Sequence, residues 1–492
     1  MALPENGAAW PPPEWAAYYD RIAVDDAWYS GDRGRLARIY GREQKTPRRR
    51  LWARRSTAHR PGKDSRLHVP LAGDIAQTSA DMLFADMPRI IVEDARTQTR
   101  LDQVLAEGHA QQMLLSAAEQ CAALSGVYLR ATWDRDLTDR PILAAVQPDN
   151  AIPEFRFGML TAANFWRELS GSTSQVVFRH VERHEPGRIA HALYQGSGDT
   201  IGRRIPLAEH PDTAALVGSI EQDGESTTTG IRRLTCAYVP NMTPNRLHRG
   251  SPIGRSDYAA PIYDQLDSLD EVWTSWMRDI RLARARLIVP DGYLRSNGPG
   301  RGASFDEDAE VYAQLNMPPT EGAGITLSQF EIRVEEHQRT AEALTRQAAQ
   351  SAGYAARSFG LDQNGGSART ATEVDSEDDK STITRRKKGG HWKQGLADIL
   401  FAALELDAVH FGSSAPAERP RVEFPNGVAD SAMDTATTLD LLNRAQAVST
   451  ATRVKILHPE WNDTEVKAEA AAILRETGAA APDPGDTYPL AA

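Results

Sequence analysis

The sequence predicts an α+β protein, and two observations carry that prediction. Between Val127 and Val239 short apolar runs alternate with a period of two, whereas from Ser256 to about His410 apolar residues recur every three or four positions. Composition is the third guide: 41% hydrophobic and 25% charged residues are ordinary for a globular chain and argue against wholesale disorder. At roughly 100–200 residues per domain, 492 residues suffice for two to four domains.

The elements follow in order. Residues 1–66 read as a basic arm, because 1–70 hold 14 Lys and Arg against 8 Asp and Glu, centred on Pro47-Arg48-Arg49-Arg50 and Arg54-Arg55. Such a run is either a solvated arm or a contact for nucleic acid or an acidic partner. Helical spacing from Leu71 to Phe84, stopped by Pro88, predicts a helix. A second is expected over Arg100–Leu124, with Leu101, Leu105, Leu114, Ala118 and Cys121 on its core face. Val127–Trp133, Ile142–Val146 and Gln175–Glu182 read as strands. The last turns through Glu185-Pro186-Gly187 into Arg188–Tyr194, a hairpin signal. The polar stretch Glu221–Gly230 predicts a surface loop before a strand over Ile231–Val239.

Then the period lengthens. Tyr258, Ile262, Leu266, Leu269, Trp273, Trp276, Ile280 and Leu287 share one stripe, so Ser256–Ile288 is predicted as a single helix on the order of 45 Å long. Its first half is acidic (Asp264, Asp267, Asp270, Glu271) and its second basic (Arg278, Arg281, Arg284, Arg286), which suits the helix dipole. Pro290 ends it, and a loop-rich insert occupies 289–330. A further helix is expected over Val334–Arg357, then a glycine-rich break from Phe359 to Gly366. Thr370 and Glu373 are spaced as a capping box and start a helix that reaches about His410. Gly389-Gly390 weakens it by roughly 1 kcal/mol per glycine. Helices over Asp434–Ser449 and Glu465–Thr477 follow, and 479–492 has the composition of a disordered tail.

Composition also limits function. Lys and Arg total 56 against 67 Asp and Glu, a net charge of −11, which disfavours a protein that grips duplex DNA. It does not disfavour one that DNA merely passes. Cys121 and Cys236 form no disulfide framework and no zinc pair, and both thiols are expected reduced. No apolar stretch approaches the ~18–20 residues that span a bilayer. Met1–Pro13 lacks the pattern of a secretory signal, so a soluble protein made without export is expected.

Catalytic signatures are missing. Gly62-Lys63 is followed by Asp64 and belongs to no P-loop. Gly196-Ser197-Gly198 with Gly202 misses the dinucleotide spacing and reads as loop. His180, Glu182 and His184 alternate onto one strand face and could ligate a metal, but no fourth ligand is evident and the outer face of a hairpin is often this polar. The carboxylates Glu373, Asp375, Glu377, Asp378 and Asp379 read as a solvated helix face near a positive N-terminus rather than a cation site. The expectation is a non-enzyme with no metal and no cofactor.

Three segments, in order, carry a resemblance: HVPLAGDIAQTSADMLFADMPRI (His68–Ile90), GRSDYAAPIYDQLDSLDEVWTSWMRDIRLARARLIVP (Gly254–Pro290) and SFGLDQNGGSARTATEV (Ser358–Val374). They resemble portal proteins, the head-to-tail connectors of tailed double-stranded DNA bacteriophages, of the kind common in actinobacterial siphophages. The similarity extends from about residue 67 to 478. It implies a closed homo-oligomeric ring of about twelve copies at one capsid vertex, joined by a repeated heterologous contact. In such a portal-like fold 67–255 would be an α+β wing, 256–288 a stem helix, 289–330 a clip and 331–358 a second stem helix. Residues 359–369 would be a tunnel loop, 370–411 a long wing helix and 412–478 a helical crown.

The same resemblance implies that Leu361, Asp362, Gln363, Asn364, Gly365 and Gly366 face passing DNA. Arg278, Arg281 and Arg284 become candidates for the bore, and Tyr258, Ile262, Leu266, Leu269, Trp273, Trp276 and Ile280 for packing between subunits. Implied partners are double-stranded DNA, the terminase large subunit, major capsid and scaffolding proteins and head-completion adaptors, with no membrane. The alternatives are a packaging-associated nuclease and a minor head or adaptor protein.

Overall fold

The computed structural model describes residues 3–43, 67–221, 224–259, 261–283, 286–288, 295–296, 303–304, 326–328, 332–361, 371–424, 439–445, 447–458, 461 and 463–477. The basic stretch 44–66, most of the expected clip and the tail 479–492 lie outside them. The chain forms two compact units, Met1–Phe424 and Pro425–Ala492.

The first unit mixes helix and sheet, as the change of period predicts. Its N-terminus is not only an arm. α1 (Pro13–Ser30) has proline at its first turn and ends at Gly31 in the left-handed region, and α2 (Arg33–Glu43) follows. Ile22, Ala27 and Trp28 of α1 are buried, which the charge count of this region conceals. α3 (Leu71–Phe84) has the predicted bounds and buries Leu71, Ile75, Leu83 and Phe84. Strand β1 (Arg89–Ile91) leads to α4 (Ala95–Glu107) and α5 (Ala110–Leu124). The single helix expected over Arg100–Leu124 is thus two, parted at Gly108 and His109, whose φ of +49° interrupts the helical path. Asp94 caps α4 by accepting from the Thr97 amide, a start upstream of the expected one.

β2 (Gly126–Thr132) lies between β3 (Ile142–Val146) and β10 (Cys236–Pro240) in an antiparallel sheet. A larger antiparallel sheet runs β4 (Ala151–Arg156), β5 (Met159–Glu168), β6 (Val177–Glu185), β7 (Arg188–Gly196), β8 (Arg203–Ile205); after the short helix α6 (Pro211–Ala214), β9 (Ser226–Thr228) pairs the other end of β7. Hence part of the stretch expected as a loop, Glu221–Gly230, is strand.

Alternation on β2 sorts the layers. Val127, Leu129 and Ala131 join α4, α5 and the long helix α9 (Ala371–His410) in one apolar cluster, while Tyr128 points the other way onto Phe165 of β5, 5.5 Å between rings. The three-stranded sheet therefore separates a helical layer from the six-stranded sheet.

α9 is continuous through Gly389-Gly390, because Trp392, Leu396, Ile399, Leu400 and Leu404 bury one side of it against the sheet. Asp407 near its end receives two hydrogen bonds from the Arg100 guanidinium, 2.7 and 2.9 Å. Thr370 and the side chains of Glu373, Asp375, Glu377, Asp378 and Asp379 lie outside the described residues. A short ladder, β1 with β15 (Arg421–Glu423), closes the unit. In the second unit 439–444, Thr450–Leu457 and Asp463–Glu476 are helical, held by Val454, Val466 and Ala470. Ser449 caps Thr450–Leu457, so the helix expected up to Ser449 does not run on to it.

Candidate functional site

The region the sequence marks out is the helix pair α7 (Ile262–Leu282) and α8 (Val334–Ala352). α7 is shorter than expected. Pro261 occupies its N-cap, and Arg286–Ile288 form strand β11, paired with β14 (Thr326–Ser328), with the short pair β12 (Arg295–Ser296) and β13 (Ala303–Ser304) between them in sequence. At ~1.5 Å per residue its 21 residues span about 32 Å. Leu287, expected on the stripe, belongs to that strand.

The two helices are antiparallel, as contacts at both ends show. At one end Asp279 of α7 meets Arg333 and His337 at the start of α8, 3.2 and 3.0 Å. At the other, Tyr354, just past α8, donates to Asp257, just before α7, at 2.8 Å. The insert 283–333 therefore leaves and re-enters at the same end of the pair, the tip.

The base is fastened by buried charge. The Lys388 ammonium of α9 donates to Asp257 Oδ2 at 2.5 Å, to the Ser79 hydroxyl of α3 at 2.5 Å and to the Tyr354 hydroxyl at 2.9 Å, and Asn241 donates to the other Asp257 oxygen at 2.8 Å. Lys388 and Asp257 are buried, so this pair is tolerable only because each partner is satisfied several times over. One stripe of α9 also grips the end of α8: Ser381 accepts from the Ala355 amide and Thr384 donates to the Gly353 carbonyl. Gly353 has φ +100°, and a Cβ there would sit 2.7 Å from Thr384 Oγ1, so only glycine permits this approach.

Burial falls from base to tip. Tyr258, Ile262, Leu266 and Leu269 are buried, but against α1, α3 and α8 of the same chain. This corrects the expectation that they pack between subunits: α1, unforeseen as a core helix, covers them, and Tyr258 donates to the Asp25 carbonyl. Trp273 and Trp276 are half-buried, with rings 5.2 Å apart and Trp276 stacked on His337. Ile280 is exposed, and so are Arg278 and Arg281, which make no ion pair with a described residue. Asp270, counted with the acidic half, is buried and holds the entry to α3 by accepting from the Val69 amide at 2.8 Å and pairing with His68 at 3.0 Å.

Arg284 and the loop residues Asp362, Gln363, Asn364, Gly365 and Gly366 lie outside the described residues, while Leu361 is half-buried beside them, after the turn at Gly360. In the sequence Arg284 follows α7, whereas 361–366 fall between the end of α8 and the start of α9.

His180, Glu182 and His184 do not form an open polar face. His184 bonds Thr235 at 2.6 Å and Glu182 at 2.7 Å, Glu182 takes Arg130 at 2.8 Å, and His180 stacks on His191. Burial raises the Glu182 acid, but Arg130 and His184 outweigh it and hold the carboxyl well below the usual range. Burial pushes His180 down to about 4. Among the described residues no group of three His, Cys, Asp or Glu is placed to hold a metal ion. Cys121 and Cys236 are both buried free thiols. No described helix is long and apolar enough to cross a membrane.

No family model and no curated protein matches the chain. Among solved structures it is similar to a chain in the neck of an empty GTA (gene transfer agent) particle computed with C6 symmetry, with a TM-score of 0.44. It is similar also to one in the neck of a native GTA particle computed with C12 symmetry, with a TM-score of 0.39. Each is 14% identical, and the likeness covers 79% of this chain and 89% of the other.

Proposed function

We propose that the chain is the subunit of a portal-type ring, a non-enzymatic channel at a capsid vertex through which double-stranded DNA is packaged, retained and released. The observation that carries this reading is the antiparallel pair α7 and α8, bolted at its base by Lys388 and Asp257 and carrying the insert 283–333 at its less buried tip. In the ring the pair is a stem and the insert a clip that docks the terminase motor and later the head-completion proteins. The loop between α8 and α9 borders the bore, and the sheets and α9 form the wing that meets capsid and scaffolding proteins.

Acidity suits a conduit. A chain of net charge −11, repeated around a ring, gives few strong phosphate pairs, and DNA that releases few counterions on contact is free to slide. Arg278 and Arg281 on the last turns of α7, exposed and without an ion pair among the described residues, are the candidates for the few contacts that retain it.

Negative-stain imaging and light scattering of the purified chain test this directly. Closed rings with a central hole and one dominant cyclic symmetry are expected, together with a blank divalent-metal-dependent DNA cleavage assay. Stable monomers at high concentration and at several salt levels would overturn the reading. Deleting 362–366 should leave rings intact and impair packaging or retention.

A further inference from the structure

A ring closed by cyclic symmetry needs two unlike patches per copy, one that enters and one that receives. The tip of the β4–β5 hairpin supplies the first. Arg156 and Met159 face each other across a two-residue turn, Phe157-Gly158, with φ +52° and +79°. Such turns favour Asn-Gly, because a bulky side chain at positive φ is strained. Phe157 is nonetheless 93% exposed and Met159 72% exposed. The hairpin beneath them is rigidly seated, with Phe155 edge-on to Tyr238 at 5.8 Å and Leu160 packed on the Tyr128–Phe165 cluster. A stiff hairpin thus holds a large apolar prong in water, in a conformation that disfavours it, with the Arg156 guanidinium lying over the ring at 5.5 Å.

The receiving patch lies on the other layer. Between β1 and α4 a groove of about 520 Å³ is lined by Met87, Pro88, Ile91 and Leu105, with Asp102 on its rim. Ile91 is 43% exposed, and Asp102 is held only by the Gln98 amide at 2.8 Å among described residues. The groove belongs to the helical layer and the prong to the six-stranded sheet, on opposite sides of the three-stranded sheet. The two patches are therefore apart on one copy, as a heterologous contact requires.

We infer that Phe157 and Met159 of each copy plug the β1–α4 groove of the next copy, with Arg156 meeting Asp102. The proposal rests on the ring reading, and its occupant is a second copy of this chain. It combines the features of an interface anchor: an aromatic side chain, an apolar pocket and an opposite charge at the rim.

The test mixes two full-length variants, Met159→Cys and Ile91→Cys, which leave the Phe157 ring in place, under mild oxidation. The expected result is a disulfide-linked pair in the mixture and none in either variant alone, since Cys121 and Cys236 are buried. Phe157→Asn supplies the control for folding. It should raise the melting temperature by relieving the turn, yet weaken assembly tenfold or more by light scattering. Arg156→Asp and Asp102→Arg should each weaken assembly, and the double reversal should restore it. Rings that form as readily with Phe157→Asn as without it, or a mixture that assembles and does not cross-link, overturn the proposal and leave the ring reading standing. A wild-type chain that stays monomeric overturns both.

Discussion

At the scale of single residues, buried ionisable groups set how stability responds to pH and to substitution. Asp25 of α1 is lifted to about 7 by burial, against the hydroxyl of Tyr263, which donates to it. Its folded form therefore keeps a proton that the unfolded chain releases above the ordinary carboxylate range. Stability is full below that range and declines as pH rises towards 7. Asp25→Asn should abolish the decline and stabilise the protein at pH 8 by a few kcal/mol, at about 1.4 kcal/mol per pH unit, in denaturant titrations.

His180 acts in the opposite sense. Burial holds it neutral down to about 4, so stability is full above the normal imidazole range and is lost as pH falls from 6.5 towards 4. The two windows overlap, and the wild-type profile between pH 4 and 7 should be flatter than that of either Asp25→Asn or His180→Gln alone. At the knot, Lys388→Met strands the Asp257 charge and should cost about 3–5 kcal/mol, most of it recovered by adding Asp257→Asn.

Elements answer to space as well as to propensity. Two glycines of α9, one facing open space and one facing the sheet, make the point. A Cβ on Gly390 meets nothing within 4 Å, so Gly390→Ala should stabilise by about 1 kcal/mol. A Cβ on Gly395 would lie 2.4 Å from Val239 Cγ2, so Gly395→Ala should destabilise by about 1–3 kcal/mol despite the same gain in helix propensity. Thermal melts of the two variants should move in opposite directions. The β4–β5 turn is the strand counterpart: Phe157→Asn should stabilise the monomer by roughly 1 kcal/mol because asparagine accepts the left-handed region. Helix ends were harder to read than helix existence. The stripe from Tyr258 to Leu287 keeps its spacing through Pro261 and past Leu282, yet the helix occupies only the stretch between them. Beyond it β11 pairs with β14, a strand about forty residues further along the chain, and that partner leaves no mark in the local pattern.

For the whole molecule, the two units keep separate apolar clusters, one set within Met1–Phe424 and one around Val454, Val466 and Ala470. A chain ending at Phe424 should therefore retain the main cooperative melting transition of the full-length protein within a few degrees. Loss of that transition would show that the first unit depends on the second. The net charge of −11 belongs to this scale too. It describes a molecule that repels DNA on average, while its exposed arginines on α7 and the hairpin tip are local exceptions.

Period and punctuation alone determined much. The change from alternating to helical spacing settled the α+β class, and the bounds of α3 and β3 and the long run of α9 could be read residue by residue. Local sequence encodes these because backbone propensity and a one-sided apolar pattern agree there. The tertiary structure decided what depends on partners distant in sequence. It turned Tyr258, Ile262, Leu266 and Leu269 from an outer stripe into a core under α1, buried the His180 hairpin face, and brought Lys388 to Asp257. A stripe records only that a face is apolar; which surface covers it is fixed by packing, and packing is not written in the spacing.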